Sequence, residues 1–188
     1  MSSIPYLPLA EVIEDPKLMK PCWESLSRPQ QVAIKAFYGM PLTEPAELAI
    51  WSIFNDKVVY DALGFPLSID VWPYDPKEYS VLVGILGRRA GKSAAITAFI
   101  TLYEIIFGGH LEHVTQGQDV IVPYIAQDLA TAKANMGHIA LMANKSKALE
   151  AQIKTTARDK IEFKNGITVL PEPPAIKTGR GFAMPIVI

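Results

Sequence analysis

The sequence predicts an α/β fold whose helices cover a mixed, mainly parallel sheet, and three observations carry that expectation. From Ser80 onward, short apolar runs alternate with stretches of helical length, the signature of a sheet joined by helical crossovers. The run Ser80–Leu86 (SVLVGIL) is almost wholly apolar and leads into a glycine-rich turn, as suits a strand buried on both faces. Finally, 49% of the 188 residues are apolar and 20% charged. That balance builds a core and excludes wholesale disorder.

The elements follow in order. Residues 1–79 hold ten of the 15 prolines and read as a partly helical region with irregular connections. Its best helix runs from about Pro29 to Tyr38, with Ser27 near the cap and Gly39 as the stop. A second runs from about Thr43 to Asn55, with Thr43 as N-cap and Glu44 and Glu47 in the first turn. Lys92–Phe107 reads as a helix closed by Gly108-Gly109. Asp119–Ala126 is the next strand, where Pro123 argues for a bend or an edge. Asp128 can cap a helix reaching about Met142, and a shorter helix follows around Lys145–Ile153. Lys160–Lys164 and Ile167–Leu170 flank Asn165-Gly166, the dipeptide of a type I′ hairpin turn. Pro171–Pro174 reads as a rigid loop and Met184–Ile188 as the last strand.

Charge and cysteine content exclude several function classes. Lys+Arg 18 against Asp+Glu 19 leaves a net charge of −1, so no overall basic excess points to nucleic acid. The single cysteine, Cys22, excludes a disulfide framework and fits a reducing compartment. The most apolar stretch, Ala94–Phe107, is broken by Thr97, Thr101 and Glu104 and falls short of the roughly 20 residues that span a bilayer. The N-terminus has no basic segment followed by an apolar one, so no export signal is expected. A cytoplasmic protein is the expectation.

The segment Gly87-Arg88-Arg89-Ala90-Gly91-Lys92-Ser93 lies between a predicted buried strand and a predicted helix, the context a P-loop requires. Glycines let the backbone wrap a phosphate, and its N–H groups and the positive helix end bind the anion. Lys92 would reach the β- and γ-phosphates of ATP, and the Ser93 hydroxyl would ligate Mg²⁺. The spacing is unusual. A standard loop has four residues between its glycines, whereas three separate Gly87 from Gly91, and Leu86 stands where the first glycine belongs.

With its shortened spacing and its arginine directly after the first small residue, this segment resembles the deviant Walker A of the large terminase subunit of tailed bacteriophages. Ile121–Lys133 (IVPYIAQDLATAK) is similar to that family's second strand and following helix. Thr178-Gly179-Arg180-Gly181, followed by Pro185–Ile188, resembles its Arg-Gly turn and Walker B strand. The resemblance covers residues 80–188 well and residues 1–79 loosely, where Ser27-Arg28-Pro29-Gln30-Gln31 looks like the Pro-x-Gln element that contacts adenine. It implies a P-loop NTPase of the ASCE type, with residues 1–79 as a lid or adenine-contacting region and residues 80–188 as the ATPase core.

Site roles follow from the same resemblance. Arg88 is the loop arginine that senses or neutralises the γ-phosphate, and Arg89 faces a partner or solvent. Gln31, with Gln30 as second choice, reads the adenine edge. Arg180 is either a finger that serves a neighbouring subunit's site or a loop arginine paired on the surface. The implied cofactors are ATP and Mg²⁺. The implied partners are double-stranded DNA, the portal protein and the small terminase subunit, with a homo-oligomeric ring on the portal. The implied setting is the cytoplasm of an infected bacterial host. In that family an Asp and a Glu follow the Walker B strand and a nuclease domain lies beyond it. Both are expected after Ile188, so the 188-residue chain is expected to be inactive alone. Two alternatives stay open: another helicase-like P-loop ATPase acting on nucleic acid, and a non-catalytic packaging-gene fragment.

Other residues read more plainly. His110, His113 and His138 form no metal-ligand spacing with Cys22 or with a carboxylate cluster, and His110 and His113 read as solvated. Trp23, Trp51 and Trp72 read as packing residues rather than base-stacking platforms. Lys145, Lys147 and Lys154 read as a solvated helix face rather than a DNA patch.

Overall fold

The computed structural model describes residues 6–62, 66–82, 92–115 and 118–173, with Lys92–Ala94 described by backbone alone. The elements in chain order are α1 (Leu9–Glu14), α2 (Lys20–Glu24), α3 (Arg28–Phe37), α4 (Pro45–Phe54), β1 (Val58–Tyr60) and β2 (Pro66–Ile69). A π-helical segment (Lys92–Thr97) then runs into α5 (Ala98–Phe107), followed by a 3₁₀ turn (His110–His113), β3 (Val120–Ile125), α6 (Leu129–Ala143) and α7 (Lys147–Glu150). A meander closes the described chain: β4 (Ile153–Ala157), β5 (Lys160–Phe163) and β6 (Ile167–Glu172). Two compact units result, one made of Met1–Ser25 with Leu86–Ile188, the other of Leu26–Ile85.

The first unit is α/β, with a mixed four-stranded sheet of order β3-β6-β5-β4 flanked by helices. β3 pairs with β6 in parallel, Val120 opposite Ile167 through Ile125 opposite Glu172, whereas β4–β5 and β5–β6 are antiparallel. The core is centred on α5, whose residues are all buried except Glu104. The buried Thr101 hydroxyl is satisfied within the helix, donating to the Thr97 carbonyl at 2.7 Å. The N-terminal segment packs on it. The Phe99 ring lies 5.6 Å from Trp23, the Tyr103 hydroxyl donates to the Leu7 carbonyl at 2.9 Å, and the Leu7 N–H donates to the Phe107 carbonyl at 3.0 Å.

The second unit pairs α3 with α4 and carries the two-stranded β1–β2 ribbon. Ser27 caps α3 through a capping box in which the Gln30 side chain accepts from the Ser27 N–H at 2.8 Å. Gly39 ends it at φ +64°, and a Cβ there would stand 2.7 Å from the backbone of Lys77 and Glu78, so only glycine fits. Trp51 packs edge-on against Tyr74 at 5.1 Å, and the Tyr74 hydroxyl donates to the Met40 carbonyl at 2.8 Å.

Several expectations are corrected. The cap of α4 is Glu44 rather than Thr43, because Pro45 suits the first helical position and Glu47 folds back to accept from the Thr43 and Glu44 N–H groups at 3.1 and 3.4 Å. The expected helix through Ile153 stops at Glu150, and Ile153–Ala157 is strand β4. Its β-branched Ile153, Thr155 and Thr156 favour the extended backbone. That strand makes antiparallel pairs outnumber parallel ones among the described residues, against the expected predominance of parallel pairing. Pro171 and Glu172 extend β6 rather than forming a loop. At the hairpin tip, Gly166 has φ +96° and Asn165 does not have positive φ. With the Gly166 N–H bonded to the Phe163 carbonyl at 3.0 Å, the loop is a three-residue turn closed by a left-handed glycine, not type I′. The expected strands Ser80–Leu86, past Leu82, and Met184–Ile188 lie outside the described residues.

Candidate functional site

The candidate phosphate loop ends where the central helix begins. Gly87, Arg88, Arg89, Ala90 and Gly91 lie outside the described residues, as does Arg180. Lys92 and Ser93 are the first two residues of the helical segment, which is π-wound over Lys92–Thr97 and α-helical over Ala98–Phe107. A π turn is rare and occurs frequently at functional sites. Here it directly follows the glycine-bounded run, at the end of the helix whose N–H groups and dipole favour an anion.

The rest of that helix is held firmly. Ile96 and Ala98 through Tyr103 are buried, and the Asn165 side-chain amide donates to the Ile105 carbonyl at 2.8 Å. At the far end Gly109 takes φ +70°, and His110 Nε2 lies 2.7 Å from Glu104 Oε2. This corrects the expected solvated His110: Glu104, the one polar position on α5 outside the core, faces it. His113 is exposed, as expected.

On the sheet, β3 and β6 end side by side at Ile125 and Glu172. In α/β sheets ligands gather at such carboxyl ends. Asp128, just past β3, is committed to its helix: its carboxylate accepts from the Thr131 N–H at 2.7 Å and the Thr131 hydroxyl at 2.9 Å. Those two bonds hold its carboxyl below the usual range. Glu172 was missed by sequence reasoning, because Pro171 and Pro173 hid the end of the strand.

In the second unit, Gln31 is half-buried on α3, with its backbone N–H bonded to the Ser27 carbonyl at 3.0 Å. Gln30, the second choice for adenine, has its amide oxygen engaged in the capping box. Arg28 and Lys35 lie three residues before and four after Gln31, on the same helical face, and both engage Glu47. Lys35 Nζ is 2.7 Å and Arg28 Nη2 3.4 Å from Glu47 Oε1, and Arg28 also pairs with Glu44. Burial opposes ionisation of Glu47, but Lys35 and the Glu44 and Thr43 N–H groups outweigh it and hold its carboxyl below the ordinary value. Trp72 is 42% exposed, with the Lys57 ammonium 4.1 Å from its ring centroid, a cation–π contact rather than core packing. Among the described residues, no three His, Cys, Asp or Glu side chains gather as a metal site, and no helix is long and apolar enough to cross a membrane. No family model, curated protein or solved structure matches the chain.

Proposed function

We propose that this chain is the ATPase part of a bacteriophage DNA-packaging motor, a large terminase subunit of P-loop NTPase (ASCE) fold that couples ATP hydrolysis to DNA translocation. The observation that carries the reading is the start of the central helix at Lys92, π-wound over its first residues, directly after Gly87-Arg88-Arg89-Ala90-Gly91. An α/β unit with a mixed sheet is compatible with it. In this reading the loop N–H groups and Lys92 bind the ATP phosphates, Ser93 holds Mg²⁺, and Arg88 balances γ-phosphate charge as it develops. Gln31 for adenine and Arg180 as a finger toward a neighbouring subunit enter from the resemblance alone. So do double-stranded DNA, the portal and small terminase as partners, a ring on the portal, and the host cytoplasm.

Calorimetry with Mg-ATP tests it. Lys92→Ala should abolish nucleotide binding while leaving the thermal melt in place, because the helix is anchored downstream at Phe99, Tyr103 and Ile105. Equal affinity in the two proteins would show that this loop is not the phosphate site.

A further inference from the structure

We infer that the outer face of α6, with the adjacent β4–β5 turn, is a docking groove for an acidic amphipathic helix of a partner protein. The groove has a volume of 340 Å³ and runs between α6 and the turn. Ala130, Ala134 and Gly137 form its wall on the helix, Ala157 faces them, and Met136 and Ile161 are buried beneath. Among the described residues a Cβ added at Gly137 would meet nothing within 4 Å, so these leave the middle of the seam open. Leu141 continues it and is 63% exposed. Positions 130, 134, 137 and 141 therefore follow a 4-3-4 spacing along one helical face, the repeat by which a helix accepts the apolar seam of another.

The charges select the occupant. Between Leu129 and Ala143, α6 holds Lys133 and His138 and no carboxylate. Lys133 and Arg158 both line the groove, and neither has an ion-pair partner among the described residues. Glu162 is engaged by Lys154 and Lys160. A helix with large apolar residues on one face and carboxylates beside them fills the seam and meets both cations. A second copy docked through the same lining would bring no carboxylate to Lys133 or Arg158. A nucleic acid would use the cations but leave the alanine, glycine and leucine seam bare. A small molecule would find few polar groups to orient it.

Fluorescence anisotropy on the full chain tests this with a synthetic helical peptide of about three heptads, leucine at the seam and glutamate beside it. The control is the same peptide with lysine in place of glutamate. The acidic peptide should bind, more weakly as salt rises, and the lysine peptide should not. Gly137→Leu fills the groove at a position with room for it and should weaken binding at least about tenfold, equivalent to ~1.4 kcal/mol. Lys133→Glu with Arg158→Glu should do the same, and Leu141→Glu supplies a second seam variant should Gly137→Leu disturb the fold. Equal binding of both peptides, or indifference to the groove variants, overturns the proposal. So does self-association of the wild-type chain that Leu141→Glu abolishes, which would assign the face to a second copy. Binding of a DNA duplex that is lost in the charge variants, with no peptide binding, would assign it to nucleic acid.

Discussion

The Asn165 side chain joins the hairpin tip to the core helix, its Nδ2 donating to the Ile105 carbonyl 60 residues earlier in the chain at 2.8 Å. Its Oδ1 accepts from the Ile167 N–H at 3.1 Å, so one amide both shapes the turn and ties it down. Asn165→Ala should cost about 1–3 kcal/mol, as expected where bonded polar groups lose their partner. Asn165→Asp keeps the acceptor but not the donor and should be no more stable than Asn165→Ala. Gly166→Ala should cost about 1 kcal/mol or more, because φ +96° disfavours a Cβ. Thermal unfolding of the three variants checks the order, and a wild-type melt for Asn165→Ala would refute the tie.

The Glu47 cluster should make the second unit acid-sensitive. The folded carboxyl titrates below its unfolded value, so its contribution is full above an unfolded pKa of about 4.3. It is lost as pH falls through the folded value. Glu47→Gln should therefore be less stable at pH 7, and its stability should fall less steeply below pH about 4.5. Glu47→Ala, which leaves Lys35 without its partner, should cost about 3 kcal/mol or more. Hydrogen exchange of α3 and α4 amides against pH reads this directly. Parallel acid slopes for wild type and Glu47→Gln would contradict it.

Cys22 should be nearly inert in the native protein. Its side chain is buried, its Sγ donates to the Met142 carbonyl at 3.3 Å, and burial pushes the thiol up to about 11. At pH 7 the thiolate fraction is then about a hundredfold below that of an unperturbed thiol. Labelling by a thiol reagent should follow opening of the first unit and accelerate steeply with denaturant. Modification within seconds under native conditions would show the burial to be wrong.

Legibility in the sequence tracked how local each cause was. Ser27, Gly39, Asp128 and Gly109 act within a few residues of themselves, so the ends of α3, α5 and α6 could be read from them. Strand β4 was not read, because Ile153–Ala157 mixes polar with apolar residues and the β preference of Ile153, Thr155 and Thr156 is joined by the pairing with β5, whose register places Ile153 opposite Phe163. His110 looked like a solvated residue after a helix stop, and its partner Glu104 is evident only once the Gly108-Gly109 turn folds it back. For the candidate site, the loop composition and the helix after it were legible. The π winding at Lys92 was not, since the residues KSAAIT carry no local signal for it. The role of Gln30 as a cap was legible in part from the Ser27-to-Gln30 spacing, which also suits a capping box.

The N-terminal helices belong to a unit most of which is made much later on the ribosome. Cys22 bonds to Met142 across 120 residues, and Ser146 bonds to the Lys17 carbonyl across 129. The second unit, Leu26–Ile85, is contiguous and is complete before either partner exists. At a synthesis rate of about 5–20 residues per second, α1 and α2 wait roughly 4–25 seconds for α5 and α6, the helices they meet. During that interval Leu9, Val12, Ile13 and Met19, all buried in the finished fold, have no native surface to meet. The emerging chain thus offers Leu9–Met19 to holdase chaperones while the second unit is already made.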